Sequence, residues 1–169
     1  MTGRVRGFTL IEMLVVLLII GLLVGLVSAI AQPDQRALLR LEAERLAQLL
    51  DLAATEAQLS GKPIAWTSDG TRYQFWRFSE DAGWAELRGN DLLRKRPLPQ
   101  GMTIAGLWVE NLRSQDAMRL EFSPYGATLA YAVEMALGAQ HYTVEASPIG
   151  ELRAMPGQNP NRSGGKING

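Results

Sequence analysis

From Met13 to Pro33 the chain carries no charged residue, and this stretch constrains the molecule more than any other feature of its sequence. Residues 13 to 31 read MLVVLLIIGLLVGLVSAIA. As a helix they would be about 28 Å long, at about 1.5 Å per residue, close to the roughly 30 Å hydrocarbon core of a bilayer. A helix apolar on every side could instead be a buried core helix, but it would then need protein all round it. A chain of 169 residues has too little left over to supply that. The run predicts a membrane span. Arg4 and Arg6 precede it and the first charge after it is Asp34. Basic flanks stay on the cytoplasmic side, so residues 34 to 169 are expected across the membrane.

Composition removes several kinds of chemistry. The 17 basic and 17 acidic residues balance, so no whole-chain field directs the protein to a polyanion. There is no cysteine, hence no disulfide, thiolate metal site or cysteine nucleophile. A single histidine, His141, excludes a multi-histidine metal centre. Asp116, Glu121, Glu134 and Glu145 could form a carboxylate pair on neighbouring strands, but acidic residues on strands generally belong to a solvated face, and His141 has no nucleophile placed around it. Ser163-Gly164-Gly165-Lys166 lacks the glycine spacing of a phosphate loop. No enzyme, cofactor or metal is expected.

An ordinary secretory signal is the competing reading of the apolar run, and Ser28-Ala29-Ile30-Ala31 imitates its cleavage site. The run, however, is longer than the usual apolar region of about 7–15 residues. The residues before it also separate the two readings: Arg6-Gly7-Phe8-Thr9-Leu10-Ile11-Glu12. A carboxylate one turn into a membrane helix costs up to about 2.5–3.5 kcal/mol at the helix centre and less near an interface. A lone acid there can simply snorkel to the headgroups. The full string, with its basic leader and its place before the apolar run, resembles the leader of type IV prepilins and type II secretion pseudopilins. That resemblance implies cleavage after Gly7 by a membrane prepilin peptidase, which also N-methylates the new terminus, Phe8. It also implies an assembly role for Glu12, with Thr9 beside it. A buried carboxylate needs a partner, and cleavage creates a cationic amine at similar depth in a neighbouring subunit.

Beyond the run, Leu39, Ala43, Leu46, Leu50, Ala53 and Ala57 recur at spacings of four and three, the stripe of an amphipathic helix. Arg36, Arg40, Glu44, Asp51 and Glu56 take much of the remaining surface. Ser60-Gly61-Lys62-Pro63 stops that helix, and Pro33 is expected to kink or interrupt the junction between the two helical halves. After Gly61 the period falls towards two. Strands are predicted at 64–67, 72–78, 84–87, 102–110, 118–122, 130–135, 140–146 and 151–154, with turns at Ser68 to Thr71 and Ser79 to Gly83. Tyr73 to Phe78 places aromatics on both faces. The prediction is an α+β, pilin-like fold: a long N-terminal helix packed on an antiparallel β domain. Its parts are a leader at 1–7, a transmembrane or filament-core helix at 8–33, an amphipathic helix at 34–60, a β domain at 61–155 and a flexible tail at 156–169. The tail is rich in Gly, Asn, Pro and Ser.

Within that family, EAERLAQLLDLAATEAQLSGKPIAW, Phe122-Ser123-Pro124-Tyr125-Gly126 and Ser147 to Arg153 resemble the group of H-type minor pseudopilins and FimT-like minor pilins. With the leader, the resemblance covers most of residues 4 to 154. The absence of cysteine and of a strongly basic C-terminal patch favours the type II secretion branch. The resemblance then implies a single-pass inner-membrane protein with a periplasmic domain, which helps initiate or cap the pseudopilus that drives folded exoproteins through an outer-membrane secretin. The partners it implies are the I-, J- and K-type minor pseudopilins, the G-type major pseudopilin and the prepilin peptidase. The other branch would be a minor pilin serving pilus biogenesis or DNA uptake. Arg94-Lys95-Arg96 is the only dense basic cluster and is expected to be a solvated loop. Neither nucleic-acid binding nor the clustered oxygen ligands of a calcium site is expected.

Overall fold

The structure is a computed structural model of the chain and describes residues 9–30, 34–87, 91–114, 118–125, 129–147 and 150–157, with side chains described in the first helix only to Gly25. It divides into two compact units, Met1–Asp34 and Gln35–Gly169. The kink expected at Pro33 lies outside the described residues, as do the leader and the tail from residue 158.

In the first unit, α1 spans Leu10–Ile30. Apart from Glu12, its described side chains are apolar around the whole circumference and exposed, Leu10 by 84% and Leu22 by 68%. Among the described residues no helix is long and apolar enough to cross a membrane. The described side chains end at Gly25, short of the span of 13–31 expected from sequence.

The second unit opens with α2, Gln35–Ser60. All six residues of the predicted stripe are fully buried. Leu49 and Glu42 are buried with them, so the covered face is wider than one residue per turn. Glu42 pairs with Arg45 on the next turn. The helix ends where Ser60 Oγ donates to Glu56 O at 2.6 Å and Gly61 takes φ +66°, a left-handed conformation that only glycine adopts at little cost.

Among the described residues ten strands follow: β1 Ile64–Ser68, β2 Arg72–Ser79, β3 Gly83–Glu86, β4 Arg96–Pro97, β5 Met102–Val109, β6 Leu112–Arg113, β7 Met118–Phe122, β8 Tyr131–Leu137, β9 Gln140–Ala146 and β10 Leu152–Pro156. All described pairings are antiparallel. The first sheet is ordered β3-β2-β1-β7, with β4 pairing on β2; the second is ordered β10-β9-β8-β5-β6. The chain changes sheets between β4 and β5, returns for β7 and crosses again to β8.

Inner and outer residues alternate as a pleated strand requires. On β8, Tyr131, Val133, Met135 and Leu137 are buried, whereas Ala132, Glu134 and Ala136 lie on the outer face. Trp66, Tyr73 and Phe75 fill the first sheet's inner face, Tyr73 meeting Phe75 edge-on with centroids 6.1 Å apart. Helix α2 lies against both sheets, touching β9 and β10 most and also β1, β7 and β8. Arg77 ties the far end of α2 to β2 through Glu56 at 2.6 Å.

The second set of aromatics on β2 is covered from outside. Trp76 Nε1 donates to Thr67 Oγ1 at 2.9 Å, Phe78 and Trp84 pack at 5.5 Å, and the Arg119 guanidinium lies 4.4 Å from the Trp84 ring centre.

Three local features depart from the sequence expectation. Strands β4 and β6, two residues each, are too short to show a period. Strand β5 stops at Val109, because Glu110 and Asn111 take φ +50° and +64° to turn the chain tightly into β6. At the other end, β10 runs to Pro156 and Gly157 N donates to His141 O at 2.9 Å, so pairing extends past the domain end expected at 155.

Candidate functional site

Of the four residues marked out near the leader, Gly7 and Phe8 lie outside the described residues, while Thr9 and Glu12 stand at the start of α1. Thr9 precedes the first helical residue, Leu10, and Glu12 is the third residue of the helix. The Glu12 N–H donates to Thr9 O at 3.1 Å and to Thr9 Oγ1 at 3.3 Å, and Met13 N–H donates to Thr9 O at 3.3 Å. A helix leaves its first N–H groups without intrahelical partners, and Thr9 satisfies one with its side chain, as an N-cap does. The string Thr9-Leu10-Ile11-Glu12 is the T-x-x-E pattern of a capping box. That signal is legible in the sequence alone. Glu12 therefore has a local reason for its position as well: its charge lies in the first turn, where the helix dipole favours an anion.

The other chemistry-bearing residues are held in structural pairs. Glu121 takes Arg119 at 2.7 Å. Glu134 lies 2.9 Å from His141 Nδ1 across β8 and β9, with both side chains mostly covered. Glu145 stands exposed on β9, and Asp116 lies outside the described residues. Among the described residues no group of three or more His, Asp or Glu could hold a metal ion.

The basic cluster is not one solvated loop. Arg94 and Lys95 are exposed, but Arg96 belongs to β4 and is half-buried beside β2. Its charge opposes, without overcoming, the burial that pushes the Tyr73 hydroxyl up to about 12.

The sequence profile of a family described as type II transport protein GspH matches residues 42–150. A second profile, the prokaryotic N-terminal methylation motif, matches residues 3–28. Type II secretion system protein H of Pseudomonas aeruginosa is 40% identical over 78 residues. That alignment spans 44% of this chain and 44% of the relative's length. Among solved structures, the minor pseudopilin EpsH from the type 2 secretion system of Vibrio cholerae superimposes with a TM-score of 0.61 at 20% identity, covering 72% of this chain and 99% of that one. A second crystal structure of the same pseudopilin gives 0.61 and 20%, with coverages of 73% and 98%. At that identity the likeness is one of fold: a helix packed on antiparallel sheets.

Proposed function

Since the chain belongs to the GspH family of type II transport proteins, we propose that it is a minor pseudopilin of a type II secretion system, a filament subunit and not an enzyme. The observation that carries this reading is the pairing, on one chain, of the GspH match over residues 42–150 with the methylation motif over residues 3–28. The first identifies the domain. The second supports a processed, apolar N-terminal helix of the kind a filament is built on.

In this reading the prepilin peptidase cuts after Gly7 and methylates the amine of Phe8. Helix α1 anchors the subunit in the inner membrane in a single pass, with Gln35–Gly169 in the periplasm, and then passes into the filament core. The 21 residues of α1 rise about 32 Å at 1.5 Å per residue, which supports a span. Removing the leader creates a cationic amine at Phe8, four residues before Glu12 in the sequence. In an apolar surrounding neither charge is tolerated alone. An axial offset that brings one subunit's amine to its neighbour's Glu12 satisfies both, and so sets the register of assembly. The partners are the I-, J- and K-type minor pseudopilins and the G-type shaft.

Two measurements test this. In cells expressing the peptidase, Gly7→Ala is expected to leave the longer precursor and an unmethylated chain; normal maturation of that variant would sink the processing assignment. In the native host, loss of the gene is expected to strand folded exoproteins in the periplasm. Intact secretion with lost pili or lost DNA uptake would move the protein to the FimT-like branch.

A further inference from the structure

A cavity of about 210 Å³ opens between the C-terminal half of α2 and the seam where the two sheets meet. Leu120, Phe122, Leu129 and Leu152 supply apolar wall, and Tyr131 lines it from β8. Tyr131 is only 6% exposed and packs edge-on against Phe122 at 6.2 Å. Its hydroxyl has no hydrogen-bond partner among the described residues. A buried hydroxyl left unpaired costs stability, which an acceptor brought into the cavity would restore.

The charge at the cavity has one sign. Asp51 and Glu121 line it, and no Lys, Arg or His does. Arg119 already holds Glu121, whereas Asp51, exposed on α2, has no ion pair among the described residues.

The shape of the wall identifies the kind of ligand. Four consecutive residues, Leu120 to Ser123, line the cavity. Successive side chains on a strand point to opposite faces, so consecutive lining residues mean that the cavity opens along the strand's edge. Among the described residues strand β7 ends its sheet and pairs with β1 alone, so its far side is an edge on which a strand can be added. Small-molecule and cofactor pockets run to roughly 300–1,000 Å³, and this cavity is smaller. It fits one large side chain.

We propose that the cavity is a docking site for an extended segment of a second protein, laid along the β7 edge, with an apolar side chain inserted and an adjoining lysine or arginine facing Asp51. The Tyr131 hydroxyl donates to a backbone carbonyl of that segment. The site lies wholly within Gln35–Gly169, on α2 and the β domain, so the proposal holds whether the chain serves secretion or a pilus.

The chain has no cysteine, so Gln58→Cys gives a single labelling point at the cavity. Full-length protein in detergent micelles, carrying an environment-sensitive fluorophore there, is titrated with capped hexapeptides of threonine and valine around a central leucine–arginine pair. Saturable binding is expected, about tenfold or more weaker when serine replaces the leucine and clearly weaker when glutamate replaces the arginine. Asp51→Asn should erase the preference for arginine over glutamate. Tyr131→Phe, which keeps the ring, should weaken binding about fivefold. Ala54→Phe should fill the cavity and abolish binding while thermal unfolding stays cooperative. Absence of saturable binding, equal binding of the three peptides, or an arginine preference that survives Asp51→Asn overturns the proposal.

Discussion

His141 Nδ1 stands 2.9 Å from Glu134 Oε1, a diagonal contact on the outer face of the second sheet, where Glu134 faces Thr143 and His141 faces Ala136. Cross-strand contacts of this kind stabilise a sheet, and this one holds the chain's only histidine in a structural role. A double-mutant cycle with Glu134→Gln and His141→Asn is expected to give a coupling of about 0.5–1.5 kcal/mol by urea denaturation. Additive losses would mean that the two side chains do not interact.

Alkaline pH should unfold the domain through its buried tyrosines. Burial raises Tyr73 to about 12, with Glu42 adding to the shift. It also raises Tyr131, with Asp51 adding to that shift. A raised folded-state value means that the native protein holds a proton which the unfolded chain gives up from about pH 10. The contribution to stability is complete below pH 10 and falls as pH climbs towards 12, by at most about 1.4 kcal/mol per pH unit for each tyrosine. Denaturation curves at several pH values between 8 and 11.5 should show that fall, and Tyr73→Phe should make it shallower. An unchanged slope in Tyr73→Phe would remove Tyr73 from the account.

Gly106 carries the Trp108 ring directly above it. A Cβ at that position would meet ring atoms at 2.6 Å, at the irregularity in β5 pairing between Ile104 and Gly106. Gly106→Ala is therefore expected to cost about 1–3 kcal/mol, as overpacking does. In a Trp108→Ala background the same change should cost under about 1 kcal/mol, because the obstructing ring is gone. Chemical denaturation of the four proteins reads this directly, and an equal cost in both backgrounds would rule out the ring as the cause.

The cap and the charge at the start of α1 can be separated. Thr9→Ser keeps a capping oxygen and should behave as the parent, whereas Thr9→Ala should destabilise the helix start by about 1 kcal/mol. Glu12→Gln is expected to leave peptidase cleavage intact and to lower recovery of the subunit in sheared filaments. Amide exchange across residues 10–13 checks the first, and immunoblots of processed chain and filament fractions check the second. Full filament incorporation of Glu12→Gln would confine Glu12 to its local place in the first turn.

Much of this architecture is written locally in the sequence. The α2 stripe, its stop at Gly61 and the eight longer strands follow from spacing and turn residues. What escaped reading depends on partners distant in the chain. Leu49 and Glu42 are buried because α2 lies against two sheets rather than one, which widens the covered face beyond a four-and-three stripe. Strands β4 and β6 exist only because β2 and β5 offer them edges. The division into two sheets depends on β7 returning to pair with β1, a choice that no alternation within residues 118–122 records. The cavity beside Tyr131 assembles from α2, β7, β8 and β10 and leaves no motif at all. The leader lies at the other extreme, since its information is entirely in the order of a few adjacent residues.

The return of β7 to β1 also governs the order in which the domain can form. The first sheet lacks its fifth strand until residues 118–122 have been made, and α2 lacks its two most extensive neighbours, β9 and β10, until residue 156 has followed. Contacts this distant in sequence slow folding, because long loops must close before they reward the chain. A nascent chain would thus expose the apolar stripe of α2 until residues 140–156 have been made, and removing β10 would leave part of that stripe uncovered. Strands β9 and β10 therefore complete the cover over α2 only after every other strand has been made.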